Sequence, residues 1–99
     1  MDNHEIARRL QAYARQLEAN QGNLYETRAF RRAALTLLGL AQPAAILVAK
    51  GGRAQLERLP GIGSHLSFTI EGLIRTGEFH THPRSRSGRR MASLAAPYS

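Results

Sequence analysis

The 99-residue sequence has no cysteine and no tryptophan, and its longest strongly apolar run extends only from Ala44 to Ala49. Without cysteine the chain has no disulfide framework and no thiolate metal site. The apolar run is far too short for a bilayer-spanning helix, which needs about 20 residues. Asp2 and Glu5 stand in an N-terminal segment that lacks an apolar core, so we expect no secretory signal peptide and a cytoplasmic protein.

Acidic residues and lysine are also scarce. Lysine and arginine total 14, with Lys50 the single lysine, against 7 acidic residues, which gives a net charge of +7. This balance favours polyanionic partners, because each neutralised phosphate releases counterions. Charge also keeps a chain in solution without any such partner. Composition therefore leaves nucleic-acid binding and a simple solvated surface equally open.

The apolar spacing predicts an all-α fold, a compact bundle of four or five short helices. The first helix is expected over residues 3–18, with Asp2 or Asn3 as its cap. The second is expected between Asn23 and Gly39, with an apolar face formed by Phe30, Ala33, Ala34, Leu37 and Leu38. Arg28, Arg31 and Arg32 fall together on the opposite face of this helix.

Three shorter helices complete the predicted bundle. Pro43 suits the first turn of a third helix that ends at the glycines after Lys50. A fourth is expected over residues 53–58, and a fifth from a Ser64 cap to about Thr76. The folded domain is thus expected over residues 1–79. Residues 80–99 carry no acid and are rich in serine, proline and glycine, so we expect a disordered basic tail with arginines at Arg84, Arg86, Arg89 and Arg90.

The most informative segment is the turn between the last two helices, Leu59-Pro60-Gly61-Ile62-Gly63. Gly61 and Gly63 permit positive φ and leave no Cβ between backbone and ligand, while Ile62 anchors the turn in the core. The amides of Gly61, Gly63 and Ser64 are then expected to face outward at a helix N-terminus, which forms an anion site. Such a site recognises phosphate and not bases. The alternative is a plain glycine-rich turn.

With its flanking apolar positions Leu56, Leu66, Ile70, Leu73 and Ile74, the segment resembles the helix-hairpin-helix family, with the motif at residues 53–76. The resemblance implies DNA binding without sequence preference. The expected DNA-contacting residues are Gly61, Ile62, Gly63, Ser64 and His65, with Arg28, Arg31 and Arg32 as a second contact, a protein contact or a solvated face. Two positions depart from the family: Ser67 replaces the usual alanine, and His65 stands where a basic residue is common.

A wider resemblance covers residues 3–79, which are similar to the N-terminal SAM-like helical domain of family X DNA polymerases. It rests on Ile6-Ala7-x-x-Leu10, on Thr27-Arg28-Ala29-Phe30-Arg31-Arg32-Ala33-Ala34, on the glycine turn and on Thr76-Gly77. The resemblance implies binding at gaps, nicks or branched ends in repair or replication, with a nucleoid location if the source is bacterial. It also implies a monovalent cation, sodium or potassium, on the carbonyls of Glu57, Leu59 and Ile62, and no other cofactor.

Some members of that family excise a 5′ deoxyribose phosphate through a Schiff-base lysine. The matching position is Thr69, which cannot form an imine, and Glu26 and Phe30 stand where such lyases place a basic residue and a tyrosine. No polymerase domain follows, so we expect no enzyme. Two rival functions remain: a protein-interaction module that uses Phe68 and the arginine face, and a lyase remnant that uses Lys50 or the N-terminal amine. His80 and His82 lack the companions of a metal site.

Overall fold

A computed structural model describes residues 1–81, and within them the chain forms five helices and no strand. The helices are α1 (Asn3–Ala19), α2 (Leu24–Leu38), α3 (Ala44–Gly51), α4 (Arg53–Glu57) and α5 (Ser64–Thr76). The all-α expectation is confirmed. None of these helices is long and apolar enough to cross a membrane.

The two long helices, α1 and α2, pack against each other as antiparallel neighbours across the short connection at residues 20–23. All five helices and the turn after α4 contribute to one core, formed chiefly by Ile6, Leu10, Phe30, Leu37, Val48, Leu56, Ile62, Leu66, Ile70 and Leu73. The sequence analysis assigned Leu38 to this core. Leu38 is 40% exposed, because it lies on a part of the α2 surface that the other helices do not cover. Thr27 is buried instead, and its hydroxyl donates to the Asn23 carbonyl at 3.1 Å.

Side chains cap the N-termini of α1, α2 and α3. The Asp2 carboxylate accepts from the Glu5 amide at 2.8 Å, and the Asn23 side chain accepts from the Glu26 amide at 3.2 Å. Asn3, the rival cap of α1, serves α3 instead: its Oδ1 accepts from the Ala44 amide at 2.8 Å. Its Nδ2 donates to the Gln42 carbonyl at 3.0 Å, so one side chain fixes the start of α3 against α1.

Two helix starts differ by one residue from the sequence analysis. Pro43, expected in the first turn of α3, is its N-cap residue with extended backbone. Ser64, expected to cap α5, is the first helical residue, and the N-cap residue is Gly63. Glycine has no side chain with which to accept a hydrogen bond, and within residues 1–81 no other side chain caps α5.

Candidate nucleic-acid interface

The turn between α4 and α5 is anchored from below by one residue. Ile62 is only 3% exposed, and its amide donates to the Leu59 carbonyl at 3.2 Å. The next carbonyl along, that of Pro60, accepts the hydroxyl of Thr36 in α2 at 2.8 Å. The turn is therefore fixed by its own backbone, by a buried side chain and by a hydrogen bond from the neighbouring helix.

Gly61 supplies the sharp change of direction. Its φ is +79°, in the left-handed region that other residues enter only at a cost. The aliphatic part of Arg32 passes over it, since a Cβ built on Gly61 would lie 2.7 Å from Cδ of Arg32. The guanidinium group begins at Nε, which is bonded directly to Cδ, so α2 places a positive charge beside the turn.

Gly63 uses only one of the two properties that the sequence analysis gave it, the lack of a Cβ. Its φ is −97° with ψ of −164°, an extended conformation open to any residue, so the positive φ that glycine permits is not used here. A Cβ built on it would meet no heavy atom within 4 Å. The fold itself therefore does not require glycine at position 63. A ligand that approached the backbone closely would require it.

The exposed backbone of the turn carries donors without partners. Among residues 1–81 the amides of Gly61, Gly63 and Ser64 donate no hydrogen bond. The N-termini of α1, α2 and α3 each receive a side-chain acceptor, whereas that of α5 receives none. These amides stand at the positive end of the helix dipole, an arrangement that attracts an anion without any charged side chain.

The three arginines of α2 do not form one cluster. Arg32 lies on the edge of α2 that meets the hairpin. Arg31 lies on the opposite edge, where its Nη2 is 2.7 Å from Oε1 of Glu18 in α1. Arg28 is exposed and makes no ion pair within the described part of the chain. Of the three, only Arg32 is brought against the turn.

The joint between α4 and α5 explains why Ser67 replaces alanine. Ser67 is fully buried, and its hydroxyl donates to Oε2 of Glu57 at 2.7 Å, with the Ser64 carbonyl at 3.0 Å as a second acceptor. Arg53 makes two contacts at this joint. Its Nε is 3.6 Å from the same Glu57 carboxylate oxygen, and its guanidinium carbon is 5.9 Å from the ring centre of Phe68. The half-buried Phe68 thus contacts α4, a partner that the sequence analysis did not name.

Thr69, the residue that the sequence analysis compared with the lyase lysine, is buried. Thr69 is 1% exposed, and its hydroxyl donates to the His80 carbonyl at 2.7 Å. Phe79, the residue before His80, packs with the rings of Tyr13 and Phe30, and the ring centre of Tyr13 is 4.8 Å from that of Phe30 and 4.7 Å from that of Phe79. Burial raises the pKa of Tyr13, and the negative charge of Glu26 raises it further.

The remaining predicted positions divide into several groups. His65 is half-buried in the first turn of α5. Of the three carbonyls predicted to hold a cation, that of Leu59 already accepts the Ile62 amide, which leaves it one lone pair. Residues 1–81 contain no group of three His, Asp or Glu side chains placed to hold a metal ion. His82 and the tail arginines lie outside the described residues.

Sequence reasoning missed two residues that support the turn, Thr36 and Glu57. Thr36 lies one helical turn after Arg32, so the two residues share one edge of α2. Once Arg32 is known to face the hairpin, Thr36 is expected to face it as well. Glu57 precedes the turn, and the unusual Ser67 was the signal for it, because a buried hydroxyl requires a hydrogen-bond partner.

Family comparison assigns the class of protein that this geometry indicates. The helix-hairpin-helix domain family matches residues 1–79, and the chain belongs to that family. Domains of this family generally bind DNA without sequence preference. No curated protein matches the chain.

The two glycines of the turn should respond differently to alanine. Gly61→Ala should destabilise the fold by about 1–2 kcal/mol, because alanine is strained at positive φ and its Cβ would displace Arg32. Gly63→Ala should leave the free energy of unfolding unchanged or raise it by up to about 1 kcal/mol, because it restricts only the unfolded chain. Urea denaturation followed by circular dichroism measures both. Equal destabilisation by the two variants would contradict this assignment.

Proposed function

We propose that this chain binds the phosphate backbone of DNA at the apex of the hairpin, without sequence preference. The observation that carries the proposal is that the amides of Gly61, Gly63 and Ser64 have no partner among residues 1–81, in a fold that caps its other helices of eight or more residues. A phosphate oxygen is the acceptor that such amides lack. The extended Gly63, with open space where a Cβ would stand, allows the phosphate to reach the backbone.

Arg32 supplies the second contact of the proposed surface. Its aliphatic part lies on Gly61, so its guanidinium reaches the phosphates next to the one held by the amides. His65, in the first turn of α5, and Arg28, exposed on α2, extend the surface. The arginines of the tail add flexible charge along the backbone. Ile62 acts through its anchoring of the turn, since its own amide is already bonded to Leu59.

The resemblance to family X DNA polymerases supports a finer proposal, that the preferred DNA carries a gap, a nick or a branched end and is met in repair or replication. A backbone cradle is well suited to a terminal phosphate, which carries more charge than an internal one. The carbonyls of Glu57, Leu59 and Ile62 are proposed to hold a sodium or potassium ion beneath the turn. The ion would supply positive charge near the bound phosphate, and the hairpin would hold it through main-chain oxygens alone.

The proposed module holds DNA and performs no chemistry on it. Thr69 cannot form an imine, and its buried hydroxyl is engaged with His80 beside the packed rings of Tyr13, Phe30 and Phe79. The burial of Thr69, which is 1% exposed, supports this proposal. Lys50 lies in the last turn of α3, on a different helix.

DNA affinity should depend on Gly63 more than on any other single backbone position. Gly63→Ala should lower affinity about tenfold, or about 1.4 kcal/mol, because its Cβ would keep a phosphate away from the amides. Fluorescence anisotropy with duplex, nicked, gapped and single-stranded DNA measures this. Gly39→Ala is the matched control, because a Cβ there makes only ordinary contacts at the end of α2. Wild-type affinity in folded Gly63→Ala would remove the hairpin from the DNA surface.

The salt dependence should distinguish the two edges of α2. About four phosphate contacts predict a log–log salt slope of roughly −3 to −4 for the wild type. Arg32→Met keeps the aliphatic part over Gly61 and removes the charge, so the slope should become shallower by about 0.9. Arg31→Met removes the same charge from the edge that faces α1 and should leave the slope unchanged. A wild-type slope near zero, or equal effects of the two variants, would contradict the proposal.

Borohydride trapping on a 5′ deoxyribose-phosphate substrate should give no covalent adduct, because position 69 offers no amine. An active lyase of the same family serves as the positive control. An adduct mapped by mass spectrometry to Lys50 or to the N-terminal amine would show that the chain retains lyase chemistry.

A further inference from the structure

The outer side of α2 carries apolar side chains that the fold leaves uncovered. Leu24 is 57% exposed, Leu35 66% and Leu38 40%. Together with Arg28 and Arg31 they follow the alternating four- and three-residue steps of one line along a helix. This line, the α2 stripe, consists of Leu24, Arg28, Arg31, Leu35 and Leu38. Its pattern is that of a helix face that packs against another helix.

The surface around the stripe is concave. Leu35 and Arg31 line a groove of about 320 Å³ whose other wall is formed by Gln11 and Arg15 of α1. One turn further on, Leu38 borders a second hollow of about 240 Å³ where the starts of α1 and α3 meet the end of α2. Leu35 and Leu38 therefore lie in depressions that side chains of another molecule could fill.

Arginine side chains lie along the stripe and in the groove beside Leu35. Arg15 and Arg28 make no ion pair within residues 1–81, and Arg31 is paired with Glu18. The groove and stripe thus present three arginines against one glutamate, while Asp2 lines the second hollow beside Leu38. Charge complementarity favours a partner whose apolar side is flanked by carboxylates.

Apart from Arg28, which also extends the surface proposed for DNA, the stripe is separate from the hairpin surface. Arg31 and Leu35 face α1, as their ion pair and groove show. Arg32 and Thr36 lie on the other edge of α2, against Gly61 and Pro60. A partner on the stripe would not cover the unpartnered amides of the turn.

We propose that the α2 stripe and the α1–α2 groove dock an acidic amphipathic helix of a partner protein. Residues 24–38 extend about 21 Å along the helix axis, enough for about four turns of such a partner. A second copy of this chain fits poorly, because a two-fold contact would set the same arginines against one another. The segment after residue 81 also fits poorly, since it brings four more arginines and no carboxylate side chain. The proposal is independent of DNA binding.

A display library of amphipathic helices tests the proposal on the full chain. Each helix carries leucines at alternating three- and four-residue spacing, and its flanking positions vary among glutamate, glutamine and lysine. Selection should enrich glutamate over lysine at those positions. A selected peptide should bind the Leu35→Gln/Leu38→Gln variant at least about tenfold more weakly than the wild type. Ile46→Gln is the matched control, since Ile46 is 41% exposed on α3, outside the stripe, and this variant should bind like the wild type.

Two further measurements complete the test. Amide chemical shifts on peptide addition should change along α1 and α2 and not at the hairpin. The double variant should keep wild-type DNA affinity, which also shows that it is folded. Enrichment of lysine or of no charge, equal binding to the double variant, or shifts confined to the hairpin would each overturn the proposal. So would loss of DNA binding in the double variant, or a wild-type dimer in sedimentation that the double variant abolishes.

Discussion

Burial of Ile62 between two exposed glycines is the constraint on which the rest of the structure depends. The Ile62 side chain holds the turn in the core, so the backbone on either side of it faces solvent in a fixed position. Gly61 makes this geometry accessible through its left-handed conformation, and Gly63 leaves room above it. Thr36 and Arg32 then fix the turn against α2 from outside. Without the anchor, the amides of the turn would have no defined direction, and a ligand would have to order them at an entropic cost.

The treatment of helix ends shows how the fold separates stability from recognition. Asp2, Asn23 and Asn3 satisfy the first amides of three helices, each an arrangement that stabilises a helix by about 1 kcal/mol. The N-terminus of α5 lacks this stabilisation, because the N-cap residue is Gly63, which has no capping side chain. The Glu57–Ser67 hydrogen bond offsets part of that loss, because it ties α4 to α5 beneath the turn without using the exposed amides. The hairpin is therefore supported from its buried side and left open on its outer side.

Features of the fold and of the site that depend on local chemistry were predictable from the sequence. Features that depend on tertiary contacts were not. The Asn23 cap, the buried Ile62 and the end of α5 at Gly77 depend on neighbours a few residues away, and each was predicted. Asn3 was expected as a possible cap of its own helix, α1. Its hydrogen-bond partners, Gln42 and Ala44, lie 39 and 41 positions further along the chain. Gly61 and Gly63 were both said to permit positive φ, yet only the packed turn decides that Gly61 adopts it and Gly63 does not.

The arginines of α2 show the same limit and lead to a division of labour. Helical spacing correctly placed Arg31 and Arg32 on the outer side, but spacing alone does not reveal which neighbour lies beyond each edge. Because consecutive residues are 100° apart on a helix, two adjacent arginines can serve opposite edges. Arg32 meets the hairpin, and Arg31 meets α1 beside the exposed leucines. A single helix thus borders both the proposed phosphate site and the leucine-lined groove, so the two proposed partners, DNA and an acidic helix, would occupy different edges of α2.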